Sequence, residues 1–267
     1  MKLLLLFLFC VVLFISKSSF KPSLYNGTNL DGYRLADIIF YPDYLVKTHK
    51  YTTVDHLYKF PHTIGVRYIK QKFPLLKNIN SREDTFTPEY KNFENYIKNN
   101  VQGIDVNLLN DIINEQGKVN DPDYNVLYLH IRIGDIICDK KYNEYTRKIY
   151  SKMGDTDWWN KVQKYIYKNG ITKVIIIAGS HFNQCLKESE EYLEDRRAFL
   201  TNDSRVEVDL HTGYSPDEDL VFCRYAKHFI TTGGGYGFFL GNIVKLNGGN
   251  FVLNGPNLTI RSGVKLF

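Results

Sequence analysis

The segment from His130 to Asp135, which reads His-Ile-Arg-Ile-Gly-Asp, holds the residues best suited to bind an anion. It ends an apolar run that starts at Asn125 and alternates with a period of two, so we predict a strand with one strongly apolar face. In open α/β sheets, ligands bind beyond the carboxyl ends of the strands. There the planar guanidinium of Arg132 would offer a rigid set of donors that suits a phosphate or a carboxylate. A purely structural pairing of Arg132 with Asp135, which would hold the turn, is equally compatible with the sequence.

A second candidate anion site is the run from Thr231 to Gly237, Thr-Thr-Gly-Gly-Gly-Tyr-Gly, which follows a predicted strand and opens a predicted helix. Glycines let a backbone approach a ligand, and free amides at a helix start attract anions. Thr231 and Thr232 would add hydroxyl donors. The run lacks the Lys-Ser/Thr of a Walker loop and the glycine spacing of a dinucleotide fingerprint, and a flexible turn is the simpler alternative. Both segments should emerge at the same edge of one sheet, and together they predict a diphosphate pocket.

Strands and helices that would position these residues alternate from about residue 122 onward. Strands are predicted at 125–133, 174–178, 205–210, 229–232 and 251–253, and helices at 155–168, 183–200, 215–227 and 238–244. This alternation predicts a doubly wound α/β domain with a mostly parallel sheet over residues 122–267. Residues 19–121 form a smaller, abbreviated N-terminal region, in which helices are predicted near 90–100 and 108–113.

The N-terminus predicts a targeting element over residues 1–18. Lys2 precedes an apolar stretch, residues 3–15, which fits the core of a secretory signal peptide or an uncleaved signal anchor. Three sequons, at Asn26, Asn202 and Asn257, agree with a secretory protein. We therefore expect the chain in the ER or Golgi lumen or outside the cell, with membrane contact only through this segment if it is uncleaved.

Net charge indicates which ligands the chain would bind, and the cysteines indicate which disulfides or metal sites it could form. The net charge of +5 favours anionic ligands such as a nucleotide or a phosphorylated sugar, but the basic residues are scattered, so no nucleic-acid partner is predicted. Cys10 lies inside the targeting element. Cys138, Cys185 and Cys223 leave two possibilities open, one disulfide with one free thiol or three thiols. No cysteine or histidine cluster has metal-ligand spacing, so no structural zinc is predicted.

The stretch His130–Asp135 resembles the H-x-R-x-G-D motif shared by the α1,2-, α1,6- and protein O-fucosyltransferases. In that family the motif follows a strand in the C-terminal domain of a GT-B fold, and its arginine, which maps onto Arg132, binds the diphosphate of GDP-fucose. A later family motif, a helix followed by a turn rich in small residues, is similar to residues 219–237. The resemblance covers roughly half of the chain. The chain departs from the family in two places. Glycines replace the usual serines of the later motif, and Ile133 stands where many members carry a second arginine. At that second position the chain resembles the protein O-fucosyltransferases more than the other members.

The resemblance implies inverting, metal-independent transfer of a sugar to a glycan or glycoprotein acceptor. The donor that it favours is GDP-fucose. Residues 19–121 would lie on the acceptor side. Arg132 would be catalytic by stabilising charge on the β-phosphate, and Asp135 is the other catalytic candidate, although it would alternatively hold Arg132. Neither a metal nor a cofactor beyond the donor is expected. The residues expected to bind the donor are His130, Arg132, Gly134, His181, Asp219, Thr232, Gly234, Gly235, Tyr236 and Gly237.

Three other interpretations compete with this one. A metal-dependent transferase would use an Asp-x-Asp pair, but turns or helix starts explain each of the pairs 121/123, 155/157 and 217/219. A catalytically inactive, secreted binding protein of the same fold is favoured by the altered glycine turn and the short N-terminal region. A structural surface glycoprotein fits the targeting element and the sequons but leaves Arg132 and the glycine turn unexplained.

Overall fold

A computed structural model describes residues 64–74, 88, 92, 106–115, 123–179, 185–202 and 205–252 of the chain. Its centre is a sheet of five strands that pair in parallel throughout, in the order β3-β2-β1-β4-β5. The strands are β1 (Val126–His130), β2 (Lys173–Ala178), β3 (Glu207–Thr212), β4 (His228–Thr231) and β5 (Asn250–Val252). The predicted doubly wound α/β fold is confirmed.

The strand order fixes where the sheet changes direction. The chain runs outward from β1 to β2 and β3, then returns to pair β4 with the other side of β1. In that pairing Leu129 lies opposite Ile230, and His130 lies opposite Thr231. The reversal therefore falls between β1 and β4, and the crevice at the carboxyl ends of these two strands is where such sheets bind ligands.

The helices connect the strands and cover both faces of the sheet. They are α1 (Ile64–Lys72), α2 (Val106–Asn114), α3 (Asp135–Cys138), α4 (Glu144–Tyr150), α5 (Thr156–Lys168), α6 (Leu186–Thr201), α7 (Pro216–Cys223) and α8 (Gly235–Leu246). The predictions of α2 and α5 are confirmed. Helix α5 starts where the Asp155 side chain accepts a hydrogen bond from the Trp158 amide, as expected for an N-cap residue.

Several predicted boundaries are wrong. Strand β1 ends at His130 and is buried on both faces, because helices cover both sides of a central parallel strand; the predicted single apolar face is therefore incorrect. Helix α6 begins at Leu186, after Cys185, and α7 ends at Cys223. Helix α8 already begins at Gly235, inside the glycine run.

Two hydrophobic clusters lie on opposite faces of the sheet. One joins side chains of α5 and α6, such as Trp159 and Leu193, with the sheet. The other joins α7 and α8 with α1 and α2, and Ile112 of α2 is fully buried in it. Polar contacts add to this second cluster, since the side-chain amide of Asn110 on α2 donates to Asn247 beyond α8 at 2.9 Å. The two described helices of the N-terminal region thus share a core with the sheet.

The structure also resolves the question left open by the cysteines. Cys138 and Cys185 form a disulfide, and Cys223 is a buried free thiol.

Some predictions fall outside the described residues. They are the targeting element, the sequons at Asn26 and Asn257 and nearly all of the helix predicted at 90–100. Within the described ranges, no helix is both long and apolar enough to cross a membrane.

Candidate anion-binding site

The two predicted anion-binding segments lie next to each other. Because β1 and β4 are neighbours, the turns that follow them are joined directly: the Thr232 amide donates to the His130 carbonyl at 2.9 Å. The Arg132 amide in turn donates to the Thr232 hydroxyl at 3.0 Å. The sequence-based prediction that both segments share one edge of the sheet is confirmed, and they meet at the point where the strand order reverses.

The Arg132 side chain lies against the backbone of the glycine turn. A Cβ atom built on Gly234 would lie 3.2 Å from Cδ and 3.6 Å from Nη1 of Arg132. Gly233 and Gly234 also have φ angles of 142° and 85°, a region that other residues adopt only with strain. A side chain at 234 would therefore be strained and would press on the arginine, so glycine is required there.

The guanidinium of Arg132 is positioned by two neighbours but forms no hydrogen bond to the described residues. Its Nη2 lies 3.6 Å from Oδ1 of Asp135, and its carbon lies 5.4 Å from the centre of the Tyr150 ring. Its Nε is buried without a hydrogen-bond partner in the described part of the chain. The other carboxylate oxygen of Asp135 accepts a hydrogen bond from the Tyr142 hydroxyl at 3.0 Å. Asp135 is thus placed as the partner of Arg132, and the donors of the guanidinium remain available to an anion.

Backbone amides complete the site. Gly234 occupies the N-cap position of α8, and no side chain of the described residues caps this helix. The first amides of a helix have no carbonyl partner within it, and the helix dipole makes this end positive. In α8 the amide of Phe238 bonds to the Gly234 carbonyl, so the amides before it belong to the uncapped first turn. Gly235 and Tyr236 lie in that turn, beside Arg132.

Other predicted donor-binding residues lie beneath the turn. The side chain of His130 is buried, and its Nδ1 lies 3.0 Å from the hydroxyl of Thr231. A Cβ atom on Gly237 would lie 2.6 Å from that same Nδ1, so Gly237 allows α8 to pack closely on the sheet. The Tyr236 ring packs edge-on against the His130 ring, with centroids 5.9 Å apart. These residues pack the first turn of α8 against the ends of β1 and β4.

Two of the predicted ligand groups are already used inside the protein. The Thr232 hydroxyl accepts from the Arg132 amide and also donates to the Tyr150 carbonyl at 3.0 Å. The Gly134 amide donates to the buried hydroxyl of Ser189 at 3.1 Å. Thr232 and Gly134 therefore hold the Arg132 segment in place. His181, another predicted ligand, lies outside the described residues.

Asp219, on α7, contacts a histidine of β3, and β3 is separated from β1 by β2. Oδ1 of Asp219 is 3.2 Å from Nε2 of His211. The His211 ring is stacked between Tyr214 and Phe222, with each centroid 3.9 Å away. Burial raises the pKa of Asp219 to about 6, and His211 opposes that rise. Sequence reasoning missed His211, because it lies just beyond the strand predicted at 205–210 and alternates in phase with the exposed Glu207 and Asp209.

Within the described residues, two of the Asp-x-Asp pairs that a metal-dependent enzyme would need have members with other roles. Asp155 caps α5, and Asp217 accepts a hydrogen bond from the Ile64 amide at the start of α1 at 2.9 Å. Among the described residues, no group of three or more His, Cys, Asp or Glu side chains could hold a metal ion. Sequence reasoning also missed Tyr150 and Ser189, whose contacts with the Arg132 segment depend entirely on tertiary structure.

The chain is a doubly wound α/β domain whose strand order reverses at the crevice that carries Arg132 and the uncapped start of α8. Comparison of the chain with models of known protein families and with curated protein sequences finds no match.

Proposed function

We propose that this chain is a glycosyltransferase that binds a nucleoside diphosphate sugar in the crevice between β1 and β4. The observation that carries the proposal is the guanidinium of Arg132, whose donors are unused, beside the uncapped first turn of α8. One planar cation and a row of amides suit a pyrophosphate. The H-x-R-x-G-D resemblance of residues 130–135 supports fucose from GDP-fucose as the sugar and a glycan or glycoprotein as the acceptor.

In this mechanism the protein stabilises the leaving group. The acceptor hydroxyl gives its proton to solvent and its oxygen forms a bond to the anomeric carbon, while the bond from that carbon to the β-phosphate oxygen breaks on the opposite face. Negative charge grows on the departing diphosphate, where Arg132 and the α8 amides donate hydrogen bonds. Preorganised donors of this kind commonly contribute about 10²- to 10³-fold in rate each. Asp135 acts by orienting Arg132, because it contacts the guanidinium itself.

A second candidate is a protein that binds the nucleotide without turnover. It is favoured because the Thr232 hydroxyl and the Gly134 backbone amide already bond within the protein, which leaves fewer donors for the transition state. Glycines at 235 and 237 contribute no side-chain donor either. Both candidates require the same diphosphate crevice and differ only in catalysis.

Nucleotide binding by the purified chain tests the shared part of the proposal. GDP, UDP and CMP are added separately, and thermal unfolding is recorded. A ligand present at a hundred times its Kd should stabilise the protein by about 2.7 kcal/mol, and we expect GDP to produce the largest shift. Arg132→Ala should abolish that shift without altering the circular dichroism spectrum, and Arg132→Lys should recover little of it because lysine lacks the planar fork.

The matched control is Arg197→Ala. Arg197 lies on α6 and pairs with Glu194 at 3.6 Å, so this variant removes one positive charge away from the site and should keep the GDP shift. An Arg132→Ala variant that binds GDP as tightly as the wild type would contradict the proposal. Release of GDP from GDP-fucose in the presence of glycan acceptors then separates the enzyme from the binding protein.

A further inference from the structure

The short helix α3, which follows Arg132, cannot be stable by itself. It spans Asp135–Cys138, and a helix of one turn lacks the length to offset its own nucleation. It nevertheless carries Asp135, the carboxylate that orients the guanidinium of Arg132. The direction of the guanidinium therefore depends on whatever fixes α3.

Helix α6 holds α3 at both of its ends. At the first end, the Gly134 amide donates to the hydroxyl of Ser189 at 3.1 Å. At the last end, Cys138 is joined to Cys185 by a disulfide, with Cα atoms 5.8 Å apart. We call these two attachments the α6 clamp.

The spacing of the clamp matches one helical turn on each side. Gly134 and Cys138 are four residues apart, and so are Cys185 and Ser189. Residues four apart lie on the same side of a helix, and the Ser189 amide bonds to the Cys185 carbonyl at 2.8 Å. One side of the first turn of α6 thus faces the whole length of α3.

The contacts of the clamp are sheltered from water. Ser189 is fully buried, so removal of its hydroxyl leaves the Gly134 amide buried without a partner, which is costly. Gly134 has a φ of 81° and ψ of −130°, a conformation that other residues rarely adopt. Glycine at 134 has wide backbone freedom, so the clamp restricts the turn between Arg132 and Asp135 in addition to the burial of Ile136 and Ile137 on α3.

We propose that the α6 clamp, formed by Ser189 and the Cys138–Cys185 disulfide, positions Arg132 for the diphosphate. The inference rests on the proposed role of Arg132 in binding that group. Ser189, Cys138 and Cys185 act through α3 and Asp135 and do not touch the ligand. Reduction of the disulfide therefore weakens diphosphate binding, which makes the site dependent on an oxidising compartment.

Two measurements test the clamp, with inorganic pyrophosphate and GDP as probes. Isothermal titration of the full chain compares the wild type, Ser189→Ala, the double variant C138A/C185A and the dithiothreitol-treated wild type. Thr201→Ala, which removes a hydroxyl at the far end of α6, is the control. Hydrogen exchange measured by mass spectrometry follows the peptide over residues 131–139, with residues 156–168 of α5 as the internal reference.

Opening either attachment should weaken pyrophosphate binding by about tenfold, since a charge-assisted hydrogen bond is commonly worth that much or more. Exchange over 131–139 should rise while α5 remains protected. In an Arg132→Ala background, opening the clamp should cause no further loss of pyrophosphate affinity, as expected for residues that act through one group. A general loss of structure would instead weaken binding in both backgrounds.

Unchanged pyrophosphate affinity in all clamp variants, alongside faster exchange, would overturn the positioning role of the clamp. Unchanged exchange over 131–139 would show that α3 is held by other contacts and would overturn the clamp itself. A wild type that binds neither pyrophosphate nor GDP would overturn the proposed function, and the exchange data would still decide whether the clamp holds α3.

Discussion

Arg132 differs from Arg224, a fully buried arginine, in what its terminal nitrogens do. Arg224 is fully buried, and its terminal nitrogens donate to the Val221 carbonyl and to the Asn114 side chain. These bonds connect α7 to α2, so Arg224 stabilises the fold. Arg132 is partly exposed and makes no such bond among the described residues. A guanidinium held in one place with its donors unused is arranged for an external partner.

Asp219 is one of several ionisable groups in the described part of the chain whose pKa departs from its ordinary value. It is buried beside His211, and desolvation of its carboxylate outweighs the favourable effect of the histidine, so its pKa rises to about 6. Desolvation raises the pKa values of Cys223 and Tyr236, and the nearby charge of Asp219 raises them further. The folded protein therefore binds a proton at Asp219 more tightly than the unfolded chain does.

The pKa of Asp219 predicts a pH-dependent stability. The contribution of this group is fully present below the ordinary aspartate pKa and is lost as the pH rises through about 6. At about 1.4 kcal/mol for each pKa unit, the loss is on the order of 2–3 kcal/mol. Asp219→Asn should lack this part of the pH dependence. Urea unfolding between pH 4 and pH 7 measures it, with the exposed Asp157→Asn as the control, and an unchanged pH slope in Asp219→Asn would refute the assignment.

At the scale of elements, local signals in the sequence predicted the start of α7 well and its end poorly. The Ser215–Glu218 pair forms both hydrogen bonds of a capping box, with Pro216 in the first turn, as its sequence indicated. The end of α7 came earlier than predicted because Arg224 and the turn after it are fixed by contacts with α2. Helices α3 and α4 gave no periodic signal, since they are short and depend on their neighbours.

The same distinction applies to the site. The meeting of Arg132 with the glycine turn follows from topology alone, because parallel strands end at one edge, and this was predictable. The partners of Thr232 and Gly134, which are Tyr150 and Ser189, come from distant elements. No spacing in the sequence encodes such contacts, so the sequence predicted Thr232 and Gly134 only as ligand-binding residues and did not reveal that they hold the Arg132 segment.

Helix α8 depends on close packing at Gly237. A Cβ atom there would clash with the Thr231 hydroxyl and lie 2.6 Å from Nδ1 of the buried His130, so these groups would have to shift. Gly237→Ala should therefore lower the free energy of unfolding by about 1–3 kcal/mol through overpacking, as measured by urea denaturation. Gly179→Ala is the matched control, because nothing lies within 4 Å of its Cβ position. Equal stabilities of the two variants would show that α8 packs less closely than this.

At the scale of the whole molecule, the sheet separates two clusters that must form together. Both tryptophans, Trp158 and Trp159, lie in the cluster of α5 and α6. Helices α1 and α2 lie in the other cluster, with α7 and α8. The central strands contribute side chains to both, since Leu127 faces one cluster and Tyr128 the other. Loss of either cluster therefore exposes one face of the same strands.

This arrangement predicts that α2 belongs to the same cooperative unit as the site. Ile112 is fully buried in the cluster of α1, α2, α7 and α8. Ile112→Ala should lower the free energy of unfolding by about 2–5 kcal/mol, as large-to-small changes in cores do. Tryptophan fluorescence reports the cluster of α5 and α6, on the face of the sheet opposite to Ile112. If the chain unfolds as one unit, the urea transition seen by fluorescence in Ile112→Ala should move to lower urea by as much as the transition seen by far-ultraviolet circular dichroism. Asn107→Ala, at an exposed position on α2, should leave both transitions in place. A fluorescence transition that stays unchanged in Ile112→Ala would mean that the helices at 64–72 and 106–114 unfold separately from the sheet that carries Arg132.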